Sequence, residues 1–280
     1  MSLRPDEALE RDLSGAVQTV SDWVVGSWQR LQVVEAPGKA ADRDNPTTDL
    51  DQQVDARLRS SLLAVFEARG IRPCWLSEES ADSPSRLGAD DVLIVDPIDG
   101  TRNLVAGRPE ASISIAWWHR GDLRWALVRH PFLDQTLTAW AGGGTCLNGR
   151  PVHVLDARSL DGIRLLVSRH EHRQGLLAPL EGRVPMEPVG SAAYKIACVA
   201  GGLCHGTFTV HPRSEWDLAA GALLVREAGG VVTDALGRPL RFNQPDVVRS
   251  GVVAAGPRLH PLLLDLVASL PRGQSPVGPT

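Results

Sequence analysis

The chain has 280 residues, with 29 Lys and Arg against 33 Asp and Glu, for a formal net charge of −4. Apolar residues make up 43% and charged residues 22%, the balance of a chain that buries a core, which excludes disordered and fibrous classes. The mild acidity excludes a nucleic-acid coat protein and a basic membrane-surface protein, because neither could neutralise phosphates with this charge.

No run reaches the roughly 18–20 apolar residues that a membrane span needs. Asp6 and Glu7 fall where a secretory signal would turn apolar, so a cytoplasmic protein with no membrane partner is expected. Leu9, Leu13, Val17, Val20, Val24 and Trp28 recur at helical steps and predict an amphipathic helix over 7–31. A charged loop with Pro and Gly, containing Lys39, covers 35–46, and a second helix over 49–68 carries Val54, Leu58, Leu62 and Phe66. Trp75-Leu76 reads as a short strand ending at Ser77-Glu78-Glu79-Ser80, and 81–90 as a polar loop. The run 92–95 is a buried strand that stops at Asp96-Pro97, and 113–118, 123–130 and 136–140 form an antiparallel meander. Gly142-Gly143-Gly144 is a turn between strands, since no Gly-Lys-Ser/Thr follows it.

A second set of elements begins near Arg164. Helices are expected at 192–200, 217–228 and 259–270, with strands at 165–167, 206–210, 230–233 and 252–255. The chain therefore divides into an N-terminal α+β part over 1–155, a C-terminal α/β part over 156–271 and a flexible tail over 272–280. Four cysteines with no C-x-x-C pair are too few for a disulfide framework and read as buried free thiols. Only Lys39 and Lys195 are lysines, so the other 27 basic residues are arginine, an excess that reads as codon bias.

The informative feature is where carboxylates fall. Asp96 closes a strand and Asp99 follows in Asp96-Pro97-Ile98-Asp99-Gly100-Thr101, a turn defined by Pro97 and opened by Gly100. If a helix starts at Thr101, its first N–H groups face a phosphate oxygen beside these acids. Glu78 and Glu79 also follow an apolar segment, and Asp217 opens an apolar helix. A turn, a solvated acidic loop and a helix cap would account for these acids singly. Jointly, oxygen-only ligands at element ends point to Mg²⁺ or Mn²⁺ rather than zinc.

Three stretches carry a family resemblance. Asp96-Pro97-Ile98-Asp99-Gly100-Thr101-Arg102-Asn103-Leu104 resembles the first signature of the inositol monophosphatase-like phosphatases. Trp216-Asp217-Leu218-Ala219-Ala220-Gly221 with Glu227-Ala228-Gly229-Gly230 resembles the second, and Ser77-Glu78-Glu79-Ser80 the acidic pair upstream. The resemblance implies a layered α-β-α-β-α sandwich in the α/β (α+β) class. It implies a Mg²⁺-dependent phosphomonoesterase with two or three ions, Mn²⁺ as a substitute, and lithium sensitivity. One ion would sit on Glu78, Asp96 and the carbonyl of Ile98, a second on Asp96, Asp99 and Asp217, and a looser third on Glu78 with waters, Glu79 being its further candidate ligand. Glu78 and Thr101 would orient the attacking water, Asp51 would support Thr101, and the amides of Gly100 and Thr101 would hold the phosphate. A plain acid at a helix N-terminus is the other reading of Asp51.

The substrate signal is mixed. Val189-Gly190-Ser191-Ala192-Ala193 resembles the family's Gly-Ser helix beside the substrate, which places Gly190 and Ser191 among the expected substrate contacts with Arg169 and Arg213. An exposed loop is the competing reading for the two arginines. Departures follow: Cys204 stands where an acid is usual after that helix, and Val210 stands where inositol-specific members have glutamate. A small sugar, polyol or inositol phosphate is the expected substrate. The alternatives are a 3′(2′),5′-bisphosphate nucleotide, resembled through Ser214-Glu215-Trp216-Asp217 and Phe242-Asn243-Gln244-Pro245, and histidinol phosphate. A catalytically silent metal- or phosphate-binding homologue is the alternative of another class. Members of the family often dimerise, so a homodimer is an expected assembly, though no residue here shows it.

Overall fold

The computed structural model describes residues 7–30, 33–34 and 47–270, so Lys39 and the tail at 272–280 lie outside the described residues. Helix α1 (Glu7–Ser27) is followed by the short paired strands β1 (Val33–Val34) and β2 (Thr47–Thr48), then by helix α2 (Asp49–Glu67). The first sheet comprises β3 (Cys74–Ser77), β4 (Asp91–Asp99), β5 (Ser112–His119), β6 (Asp122–His130), β7 (Gln135–Trp140), β8 (Gly144–Leu147) and β9 (Arg150–Val152) in sequential order. The β3–β4 pair is parallel and the others antiparallel. Helix α3 (Thr101–Val105) interrupts it after β4.

The second sheet has the order β11-β10-β12-β16-β14, from β10 (Leu165–Ser168), β11 (Met186–Val189), β12 (Gly206–Thr209), β14 (Val231–Thr233) and β16 (Val252–Ala255). A ribbon of β13 (Arg213–Ser214) and β15 (Val248–Arg249) stands apart from it. The remaining helices are α4 (Arg169–Arg173), α5 (Ala192–Ala200), α6 (Glu215–Glu227) and α7 (Leu259–Ala268).

Three apolar cores fill the four interfaces of five layers, one of them lying on both sides of the middle helices. Leu13, Val17, Leu58 and Phe66 of α1 and α2 pack on Leu93, Val95, Ile113 and Trp125 from one face of the first sheet. Val92, Ile94, Ala116 and Val128 from its other face meet Ile196, Leu218 and Leu223 of α5 and α6, which also contact Leu166, Val252 and Ala254. Leu165, Val167, Phe208 and Val253 on the far face of the second sheet pack under Leu259 and Leu263 of α7. Strand β4 is apolar on both faces because helices cover both, which is why 92–95 reads as a continuous run rather than an alternation. The architecture is the expected α-β-α-β-α sandwich. Each fully buried large apolar side chain contributes about 1.5–3 kcal/mol to holding the layers together.

Four expectations change. Strand β4 does not end at Asp96: Asp96 pairs with Ser114 and Asp99 with Ser112, and the register shift between them contains Pro97, which has no N–H to donate. Helix α6 begins at Glu215, because Ser214 is its N-cap and Asp217 closes the capping box from the third helical position. The stretch 81–90 holds a 3₁₀ turn over Pro84–Gly88, ordered by buried Arg86, which bonds Asp82, the side chain of Asn243 and the carbonyl of Gln244. The four thiols are free, as expected, but only Cys198 and Cys204 are buried; Cys74 and Cys146 are half-buried.

Candidate active site

The carboxylates converge where β4 leaves the first sheet and α6 enters between the layers. Asp96 and Asp99 come from the irregular end of β4, where the register shift lets both acids escape strict alternation. Asp217 comes from the first turn of α6, and oxygen atoms of Asp96, Asp99 and Asp217 all lie within 4.8 Å of one another. Asp217 does two jobs that had seemed alternatives: its Oδ2 accepts the N–H of Ser214 at 2.9 Å, and its carboxylate still joins the cluster. Glu78, just after β3, lines the same cavity.

The electrostatics are those of a site built for a cation. Asp96 is 1% exposed, and among the described residues neither of its oxygens has a hydrogen-bond partner. Burial first, then the charges of Glu78, Asp99, Asp217 and Asp51, hold its carboxyl well above the usual carboxylate range. Burial and Asp99 likewise push Asp217 up to about 7, against the pull of Arg213. A buried carboxylate with no donor is costly unless something positive sits beside it. All side-chain donors here are oxygens, which suits a hard divalent cation such as Mg²⁺ or Mn²⁺. The residues present therefore fit the metal that the resemblance implies.

Asp51 resolves in the same double way as Asp217. It closes the capping box of α2, accepting from the backbone and hydroxyl of Thr48 at 2.8 and 2.5 Å. Its other oxygen accepts the hydroxyl of Thr101 at 2.5 Å, and that hydroxyl also lies 3.0 Å from the carbonyl of Ile98. Burial raises Asp51 to about 6, with the bonds from Thr101 and Thr48 opposing. Two helix-capping acids thus do more than cap: Asp51 also bonds Thr101, and Asp217 also lines the cavity.

Gly100 turns the chain from β4 into α3 with φ of 114°, and a Cβ there would lie 2.5 Å from the carbonyl of Glu110. Gly190 has no room either, since a Cβ would meet the side-chain amide of Asn103 at 2.1 Å. Gly100 is required by backbone approach and its positive φ, whereas at Gly190 a side chain would have to displace Asn103. Ser191 adopts φ of 61°, an uncommon conformation for a residue with a Cβ, and its hydroxyl donates to Asp99 at 2.7 Å. The N–H of Ala193 donates to the same Asp99 oxygen at 2.6 Å.

A cavity of about 430 Å³ opens over these groups, lined among others by Glu78, Asp99, Thr101, Gly190, Arg213 and Asp217. Glu79 is not among its lining residues and is not part of the close cluster. Arg169 lines the cavity, but its guanidinium forms a two-pronged ion pair with Glu110 at 2.6 and 2.9 Å. Glu110 also accepts the N–H of Gly190 at 2.8 Å, so Arg169 and Glu110 brace the loop before α5. Arg213 faces the cavity with its Nε buried and without a hydrogen-bond partner among the described residues.

Sequence reasoning passed over several lining residues. Lys195 is buried in α5, with Nζ 2.7 Å from the carbonyl of Ser191; burial pulls it down to about 8 while Asp99 opposes. The available signal was a lysine, one of only two in the chain, inside an otherwise apolar helix. Arg102, Arg173 and His211 also line the cavity. Arg102 sits inside the first signature, whereas nothing local in the sequence marks Arg173 or His211.

Residues 8–272 match the profile described as the inositol monophosphatase family. The chain belongs to the inositol monophosphatase family. It is 32% identical over 234 residues to the Nus factor SuhB of Pseudomonas aeruginosa, covering 79% of this chain and 83% of that protein. It is 30% identical over 231 residues to the fructose-1,6-bisphosphatase/inositol-1-monophosphatase of Thermotoga maritima, covering 81% and 85% respectively. Among solved structures, an IMPase of Thermotoga maritima superposes with a TM-score of 0.79 at 26% identity, covering 94% of this chain and 97% of that one.

Proposed function

We propose that this chain is a divalent-metal-dependent phosphomonoesterase acting on a small sugar, polyol or inositol phosphate. The observation that carries this reading is Asp96, a fully buried carboxylate with two unpartnered oxygens, packed against Asp99 and Asp217. Glu78, Asp96, Asp99, Asp217 and the carbonyl of Ile98 would hold the metal, with Glu79 farther out. When bound, divalent metal supplies positive charge for the phosphate and lowers the pKa of water.

The remaining work falls to the chain. Thr101 accepts a proton from the attacking water as its own hydroxyl proton passes to Asp51, whose raised pKa suits a proton acceptor near neutral pH. The amides of Gly100 and Thr101 hold phosphate oxygens in the turn that Gly100 permits. Ser191 and Ala193 fix Asp99 and so keep the floor of the cavity in place.

A second reading, a substrate with another anionic group such as a 3′,5′-bisphosphate nucleotide, is favoured by Arg173 and Arg213 on the cavity wall. Glu215, however, works as a brace: it is fully buried and accepts from Asn243 and Gln244 at 2.6 and 3.0 Å and from Arg249. The nucleotidase-like stretches at 214–217 and 242–245 are thereby explained by packing, which weakens them as substrate signals. Phosphate release from inositol 1-phosphate, histidinol phosphate, fructose 1,6-bisphosphate and 3′-phosphoadenosine 5′-phosphate, with MgCl₂ and with EDTA, tests both readings. No magnesium-dependent release from any of them would favour the silent homologue.

A further inference from the structure

A buried acid forty residues away in sequence holds one histidine of the cavity wall. The chain leaves β12 through Val210, His211 and Pro212 before reaching β13 and α6. Glu171 of α4 is 0% exposed, and its Oε1 accepts from the N–H groups of Val210 and His211 at 3.0 and 2.8 Å and from the hydroxyl of Thr209. The same oxygen lies 3.1 Å from Nδ1 of His211. Burial would raise Glu171, but the bonds from His211 and Thr209 outweigh it and hold the carboxyl below its ordinary range.

An ionised acceptor at Nδ1 makes that nitrogen the donor and leaves Nε2 as the nitrogen that exchanges protons. His211 lines the cavity together with Thr101, Asp99 and Asp217, and its side chain keeps 23% exposure. The ring of His170 lies 5.7 Å away, and its Nδ1 is 2.6 Å from Nη1 of Arg102; Arg213 follows two residues on. The loop would be tied to α4 by Thr209 and the two amides alone. The ring adds a titratable nitrogen, oriented by a carboxylate, in the cavity where the phosphate ester would lie.

The chemistry has a use for it. The alcohol of a sugar, polyol or inositol phosphate is a poor leaving group until its oxygen is protonated. We propose that His211, oriented by Glu171, is the general acid that protonates the departing alcohol oxygen. The inference rests on the phosphomonoesterase reading above. As water oxygen bonds to phosphorus, the ester P–O bond breaks with its electron pair on the alcohol oxygen, which takes the proton from Nε2. The proton shed by the attacking water passes through Thr101 to Asp51 and from there to solvent, and the neutral imidazole regains one from solvent. One water is consumed, and alcohol and phosphate are released.

Paired substrates test this. Glycerol 2-phosphate loses an alkoxide that needs a proton, whereas 4-nitrophenyl phosphate loses a phenolate that does not. His211→Asn keeps a side-chain N–H for Glu171 but has no acidic proton to give. With MgCl₂, the ratio of kcat on glycerol 2-phosphate to kcat on 4-nitrophenyl phosphate is expected to fall about 100-fold in this variant. Glu171→Gln, altering a positioning residue, is expected to move the ratio in the same direction by a smaller factor. Turnover of the aryl ester reports that each variant is folded, and His211→Gln repeats the test if His211→Asn is unstable. A ratio equal to that of the unaltered chain, or equal losses on both esters, overturns the inference alone. Failure of the unaltered chain to hydrolyse either ester overturns the phosphomonoesterase reading and this inference with it.

Discussion

Asp96 has no donor among the described residues, so its carboxylate is tolerable only with a counter-charge or a proton. Removing the charge should therefore separate stability from activity. Asp96→Asn and Asp217→Asn are each expected to lower magnesium-dependent phosphate release at least about 100-fold. In EDTA, calorimetry of Asp96→Asn should give an unfolding temperature no lower than that of the unaltered chain, because a buried repulsion has been relieved. Early unfolding of this variant in EDTA would contradict the repulsive cluster. Gly100 makes the opposite case. Gly100→Ala sets a Cβ against the Glu110 carbonyl at a positive φ, and denaturant titration should show a loss of about 1–3 kcal/mol.

At the scale of elements, helix caps hold the site together. Thr48 and Asp51 start α2, and Ser214 and Asp217 start α6; in each pair the acid also reaches the cavity or the threonine beside it. Behind α6, Glu215 ties the loop at 241–249 to the helix, and Arg86 ties the 3₁₀ turn to the same loop. Breaking one partner of a buried ionic network leaves the other charge stranded. Glu215→Ala is thus expected to cost about 3–5 kcal/mol in urea unfolding, far more than loss of an exposed pair such as Arg120 with Asp90. Equal costs for the two would mean the network carries no structural weight.

Across the whole molecule, charge and pH decide when the layers hold. His130, at the end of β6, is buried against Tyr194 with its Nδ1 unpartnered among the described residues, and burial pulls it down to about 4. A folded pKa depressed below the unfolded 6.5 means that the unfolded chain binds more protons between these values. The contribution of His130 is therefore fully present above pH 6.5 and lost as pH falls toward 4. Relative to His130→Leu, the unaltered chain should lose about 3 kcal/mol across that window, read from urea midpoints at a series of pH values. A pH-independent difference would show that the ring is protonated in the folded state. Metal acts on the same scale. Five carboxylates, Glu78, Glu79, Asp96, Asp99 and Asp217, account for more than the net charge of −4, and the remaining chain carries +1. MgCl₂ at a hundred times its dissociation constant should stabilise the unaltered chain by about 2.7 kcal/mol and leave Asp96→Asn largely unmoved.

By itself the sequence determined the layered class and the main acids, because these depend on local signals: apolar periodicity, Gly and Pro at turns, and acids at the ends of apolar runs. It placed α5 over 192–200 to the residue, since a buried helix bounded by Ser191 and Gly201 is specified by its own chain. It could not extend β4 to Asp99, because that pairing belongs to Ser112 and Ser114 on β5. Nor could it show that Arg169 is taken by Glu110 or that Glu171 holds His211, and it left open whether Asp51 supports Thr101 or only starts a helix. Each of these joins groups 40 to 59 residues apart. The residue types that chemistry requires are written along the chain, whereas the partner that occupies or frees each one is chosen only when the two sheets close on α5 and α6.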